Sequence, residues 1–384
     1  MATKIFSCET SELKSAVSSV SHFNDQKSRN RLDQKILIQT LTVEDQRQLR
    51  IQGQSHGSRG MCAIVRADIE MDILKLVDAK RFKEILASSP DMYITFFLED
   101  TEDKLLLRSG SMNVYLPIEN IDNFPVINFN SEGFKFRIES RELAYMLRKT
   151  IFAWDKKRPG VFSCGALEIE GSRVTLAISD THMLAVAKSE LIEPVSEPGK
   201  HTFVIPCDIL ENLMREEQFS KKFLKSYTSE VRFIFREDEF NIEFDDRIIR
   251  VYREFKTYPE FDSVIPQNQD TMVTVNRKAF LSSMTRCFKA NRNQMILNVE
   301  VGEIWVQTFA NSEDNLLVNE AIPIKFTGHP VNMLINPLHL KEVIKASESD
   351  FITLGFTEAD KPVRVYDPDD PDYIYVATPF KRHY

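Results

Sequence analysis

The sequence predicts an α+β protein built from three tandem copies of one domain, each with two helices and antiparallel sheets. Three observations carry this. Two helix motifs recur at intervals near 130 residues, an alternating hairpin follows the second motif each time, and the 384 residues divide into three lengths of 128. A period this long repeats whole domains, not the short units of a solenoid.

The first helix motif is Glu9-Thr-Ser-Glu-Leu13, Glu139-Ser-Arg-Glu-Leu143 and Val275-Asn-Arg-Lys-Ala-Phe280, with anchors 130 and 137 residues apart. Each opens with Ser, Thr or Asn before apolar residues spaced i, i+3, i+4, the pattern of an N-capped amphipathic helix. The second motif is Val77-Asp-Ala-Lys-Arg-Phe82, Ile205-Pro-Cys-Asp-Ile-Leu210 and Ile335-Asn-Pro-Leu-His-Leu340, at spacings of 128 and 130. The hairpins that follow run from Ile94/Phe96/Leu98 to Leu105/Leu107, from Val231/Phe233/Phe235 to Phe240/Ile242/Phe244, and from Ile352/Leu354/Phe356 to Val363/Val365. Period-two alternation of this kind makes half-buried antiparallel strands. Asn123-Phe124-Pro125 and Tyr258-Pro259-Glu260-Phe261 close the first two copies. With junctions in the polar stretches Asn128–Gly133 and Gln267–Thr271, the domains are expected at 1–129, 130–266 and 267–384.

Composition narrows the function classes. A 42% hydrophobic fraction and 28% charged residues suit a folded chain with real cores. The start of the chain shows no signal-peptide pattern, no membrane span is expected, and five scattered cysteines suit a reducing cytoplasm without a zinc site. No metal and no cofactor are expected. Gly53-Gln-Ser-His-Gly-Ser-Arg-Gly60 lacks the ending of a phosphate-cradling loop and reads as a mobile turn between strands. A net charge of −8 argues against general adhesion to nucleic acid unless cations are gathered on one surface.

The helix faces supply that surface. At about 100° per residue, the faces opposite the apolar stripes return Lys80, Arg141, Arg148, Arg215, Lys278, Lys289 and Lys345. Such cations contact phosphates without reading bases, and no aromatic platform interleaves them, so double-stranded DNA is favoured over a single strand.

Ser179-Asp180-Thr181-His182-Met183-Leu184-Ala185, Tyr258-Pro259-Glu260-Phe261 with Val264-Ile265-Pro266, and Tyr375-Val376-Ala377-Thr378-Pro379-Phe380 together resemble the bacterial sliding-clamp family, the beta subunits of DNA polymerase III. The resemblance covers the whole chain. It implies a non-catalytic homodimer, two crescents closing into a six-domain ring that encircles duplex DNA. It also implies a partner pocket between the second and third domains for the polymerase alpha subunit, the clamp loader and other proteins with clamp-binding motifs. Carried over position by position, that pocket comprises Ser179, Thr181, His182, Met183, Leu184, Pro259, Ser263, Val264, Val376, Ala377, Thr378, Pro379, Phe380 and Lys381. Two positions depart from the family pattern. Thr181 stands where the family has Gly, and Met183 where it has Arg, which removes a guanidinium from the pocket rim. Ring closure is expected at the edge strand Ser111–Leu116, sealed by Val114 and Leu116.

Rival readings are weaker. Ser179, Asp180 and His182 are neighbours in sequence, which rarely gives a triad's geometry. Asp367-Pro-Asp-Asp-Pro-Asp372 lacks the Gly and terminal Glu of a calcium loop and reads as an exposed acidic loop. His339 reads as a helix residue near the pocket rim. An acidic scaffold of the same fold remains the other non-enzymatic class.

Overall fold

The computed structural model describes the chain apart from residues 1, 44, 56–57, 100–102, 128–131, 221, 226–227, 256, 311–314 and 381–384. Most of the polar junction 128–133 and the site residue Lys381 therefore lie outside the described residues. One order of elements recurs three times: a strand, a helix, four strands, a second helix, three strands, with one short additional strand, Ala67–Ile69, in the first round. The helices are α1 (Thr10–Ser21), α2 (Ala79–Ser88), α3 (Ser140–Thr150), α4 (Cys207–Leu213), α5 (Arg277–Ala290) and α6 (Pro337–Ala346). All the strand pairs given by the sheet registers are antiparallel.

Packing divides the chain into two units, Met1–Arg137 with Ser229–Glu254, and Ile138–Thr228 with Phe255–Tyr384. The first division has a simple cause. Strand Arg247–Tyr252 pairs with Arg59–Val65, setting Ile249 opposite Met61, so the closing hairpins of the second round build onto the first. The same event occurs inside the second unit, where Tyr373–Ala377 pairs with Met183–Glu190 and Tyr375 lies opposite Ala185.

The expected hairpins form in register: Phe96 pairs with Leu107, Phe235 with Phe240, and Leu354 with Val365. Their inward residues are the cores. In the first unit Phe6 stacks on Phe96 at 4.4 Å between ring centroids, and Phe82 of α2 meets Phe96 edge-on. Phe136 stacks on Phe233 at 4.9 Å. Each such ring contributes about 1.5–3 kcal/mol by leaving water.

Several local expectations need correction. Of the three first-motif helices only α5 carries a side-chain cap, Asn276 accepting from the Ala279 amide. Thr10 and Ser140 are buried first-turn residues, and the positions before them, Glu9 and Glu139, make no side-chain cap because each still belongs to the preceding strand. The glycine stretch is not simply a turn. Gly53 and Gly60 lie inside paired strands, and a Cβ on Gly53 would collide with the Val20 carbonyl, so the glycine lets the end of α1 settle onto the sheet.

The acidic loop is not simply exposed either. Asp367 is 6% exposed, and its carboxylate accepts from Ser349 Oγ. The buried Lys149 ammonium of α3 lies 3.6 Å from Asp367 and 2.8 Å from Asp370, while Tyr145 Oη donates to Asp370 at 2.5 Å. Lys149 also lies over the Tyr373 ring. The loop is an internal ionic staple between α3 and the end of the chain. Arg215, expected on a helix, lies beyond α4, which stops at Leu213. Finally, Leu116 is fully buried and points into its own unit, because alternation along Met112–Glu119 turns Leu116 and Ile118 inward and Tyr115 outward. Leu116 cannot seal an interface; Val114 is half-buried, and Tyr115 is the exposed apolar residue of that strand.

Candidate functional site

The second unit holds a cavity of about 260 Å³ lined by residues from three segments, 179–184, 258–264 and 376–378, together with Phe162 and Pro362. Its floor is a packed cluster of Ala166, Ala177, Leu184, Val186, Phe261, Ile265 and Val376. Sheet register explains why these distant segments meet. Strand pairing puts Leu184 opposite Val376 and Met183 opposite Ala377, and the Thr378 amide donates to the His182 carbonyl at 2.8 Å.

The turn at one wall is tightly wired. Ser179 Oγ donates to the Met183 carbonyl and accepts from the Thr181 amide. One Asp180 carboxylate oxygen accepts from the amides of His182 and Met183, at 2.8 and 2.6 Å. This leaves Thr181 at φ 76°, a left-handed conformation that a β-branched residue rarely adopts. The guanidinium of Arg158, from the loop ahead of Phe162, donates to Thr181 Oγ1. A cation therefore does stand at the rim, supplied by another segment from the one where the sequence had suggested its loss.

The imagined catalytic cluster dissolves on inspection. Ser179 Oγ and the Asp180 carboxylate are spent on the turn's backbone, and the His182 ring lies 6.2 Å from and nearly parallel to that of His339. His339 is buried in α6 with its Nδ1 unpartnered. Burial lowers its proton affinity, Asp180 opposes that shift and His182 reinforces it. An apolar slot bordered by backbone groups and a few polar ones suits the capture of an extended peptide, not bond-breaking.

Of the residues placed in this pocket from sequence, Ser179, Thr181, His182, Met183, Leu184, Pro259, Val264, Val376 and Thr378 line it. Ala377 is buried behind the wall, Pro379 is buried outside it, and Phe380, held by its amide to the Leu334 carbonyl, is 37% exposed away from the lining. Ser263 is exposed, its hydroxyl turned back to the Glu260 carbonyl. Sequence reasoning missed Phe162, Tyr258, Glu260, Phe261 and Pro362 as walls. Tyr258 and Phe261 sat within a recognised motif; Phe162, which meets Tyr258 edge-on at 6.1 Å, carried no sequence signal.

The cations expected to face DNA distribute as follows. Lys80, Arg141, Lys278, Lys289 and Lys345 are exposed on their helices. Arg215 is exposed but pairs with Glu211 at 3.4 Å. Arg148 is half-buried, and it lines, with Lys345, a wide groove of about 670 Å³ that also contains Glu342, Glu348 and Asp369. That stretch of surface is mixed in charge, not uniformly basic.

Comparison with known proteins gives a consistent answer. Residues 262–381 match the family model for the DNA polymerase III beta subunit, C-terminal domain. The beta sliding clamp of Bacillus subtilis is 24% identical over 314 residues, covering 80% of both chains, and that of Rickettsia bellii is 24% identical over 324 residues, covering 79% of this chain and 82% of the relative. The crystal structure of the Thermotoga maritima DNA polymerase III beta subunit superposes with a TM-score of 0.87 over 99% of this chain and 100% of that one, at 19% identity. The fold is that of the solved DNA polymerase III beta subunits. The chain is thus similar along most of its length to the bacterial DNA polymerase III beta subunits, the sliding clamps, and its residues 262–381 match the C-terminal domain of that family.

Proposed function

We propose that two copies of this chain join head to tail into a ring around double-stranded DNA in the cytoplasm. In this reading the pocket receives short segments of the polymerase alpha subunit, the clamp loader and other partners. The domains take the boundaries 1–129, 130–266 and 267–384, and the three repeated rounds of elements support them. The exposed lysines and arginines of the helices would contact phosphates only, so DNA affinity is independent of sequence and sensitive to salt.

One observation carries the dimer. The closing strand of a round adds to the fourth strand of the round before, once at Arg247–Tyr252 on Arg59–Val65 and again at Tyr373–Ala377 on Met183–Glu190. The first round's closing strand, Met112–Glu119, has no earlier round to join. Its edge opposite Lys104–Ser109 is unpaired over residues 112–117 among the described residues. The third round's equivalent acceptor, Leu316–Thr327, is paired on one side over Leu316–Pro323 and open on the other. Tyr115 at the first edge, and Leu316 and Leu317 at the second, are 45–49% exposed. A second copy supplies each edge with the strand it lacks, and two copies satisfy all four edges. That is a heterologous contact that closes. The test is sedimentation equilibrium at micromolar concentration. The mass should be near twice the 44.4 kDa chain, and Tyr115→Glu with Leu317→Glu should give monomers with unchanged circular dichroism. A wild-type monomer would refute the pairing.

A further inference from the structure

Thr181 poses a question that the peptide-pocket reading leaves open. Its left-handed backbone is one that glycine adopts freely and a β-branched residue does not. The side chain has one polar contact, with the Arg158 guanidinium. Arg158 in turn has no carboxylate within ion-pairing distance among the described residues. It ends the run Lys156-Lys157-Arg158, in which Glu211 pairs with Lys156 alone. The lining of the apolar slot contributes one carboxylate, Glu260, and the hydroxyl of a strained residue holds at its rim a guanidinium that no described carboxylate pairs.

We propose that Thr181 and Arg158 form a specificity device: Thr181 fixes the Arg158 guanidinium at the pocket mouth, so the site selects peptides carrying a carboxylate beside their apolar anchor. This rests on the pocket binding extended peptides at all. Arg158 acts on the partner directly and Thr181 is a positioning residue. A tethered guanidinium meets a carboxylate with less loss of side-chain freedom than a free one, and its planar fork suits bidentate pairing.

The experiment is calorimetric titration of synthetic heptapeptides ending in Leu-Phe. Each carries one Glu at a different position, and each has a Gln twin. Wild type should bind at least one Glu peptide about two- to fivefold more tightly than its twin, as a partly exposed charge pair allows. The preference should shrink in high salt. Thr181→Val keeps the shape and removes the hydroxyl; whatever its absolute affinity for either peptide, it should lose most of the preference for the Glu peptide over its Gln twin. Arg158→Gln should abolish the preference, which keeps the test valid if the valine variant folds poorly. Equal binding of every Glu and Gln pair by wild type would overturn the device while leaving the pocket intact. A preference that survives Arg158→Gln would also overturn it. Binding of no peptide by wild type would overturn the pocket reading and the device together.

Discussion

His339 shows how one residue can tie stability to pH. Buried against His182, with Asp180 nearby, its imidazole holds protons less tightly than the ordinary value of 6.5, chiefly because burial penalises the cation. The folded state therefore keeps it neutral, and the unfolded chain takes up a proton first as pH falls. Its contribution to stability is complete above about pH 6.5 and is lost as pH drops below that value. Urea unfolding at pH 7.5 and pH 5.5 should show wild type losing more of its midpoint than His339→Gln. Parallel losses would place the sensitivity elsewhere. At this scale the sequence was partly legible. It marked Thr181 as unusual, because a β-branched residue stood in a motif position held by glycine. It could not show that Arg158, 23 residues earlier, would lend its guanidinium to that threonine. Nor could it show that Phe380 would lie outside the slot, since that depends on the bond its amide makes with Leu334.

At the scale of elements, the staple between α3 and the loop 367–370 is the feature that local reasoning could not reach. Four aspartates and two prolines in six residues read as solvent-facing, and only a lysine and a tyrosine more than 200 residues away in sequence reverse that for Asp367 and Asp370. Removing Lys149 would leave two carboxylates poorly compensated. Lys149→Met should therefore destabilise the protein by about 3 kcal/mol in chemical unfolding, as for other broken buried pairs. Double substitution with Asp370→Asn should recover part of that loss. A change under about 0.5 kcal/mol, usual for a surface pair, would show that the network is solvated and not a staple. The helices and hairpins themselves were legible, because their apolar spacing is set by the 3.6 and 2.0 periods of the backbone. Helix starts were less so. Where a strand runs directly into a helix, as at Glu9 and Glu139, the strand already fixes the entry and a capping side chain is dispensable.

For the molecule as a whole, the repeat was the most legible property of the sequence, since motifs in the same order at near-equal spacing need no knowledge of contacts. What the repeat left hidden was its consequence. Each round donates a closing strand to the one before, so a chain of three rounds ends with one donor and one acceptor edge unused. The misplacement of Leu116 arose at this step, because alternation along Met112–Glu119 turns that residue into its own unit. A closed ring should be held on DNA by topology more than by affinity, and an acidic chain of net charge −8 fits that economy of contact. The direct test is to load the protein onto covalently closed circular duplex with its clamp loader, isolate the complex, and cut the circle once with a restriction enzyme. Protein should remain on the closed circle and be released after the cut, whatever the DNA sequence. Equal retention on the circular and the linear duplex would contradict encirclement.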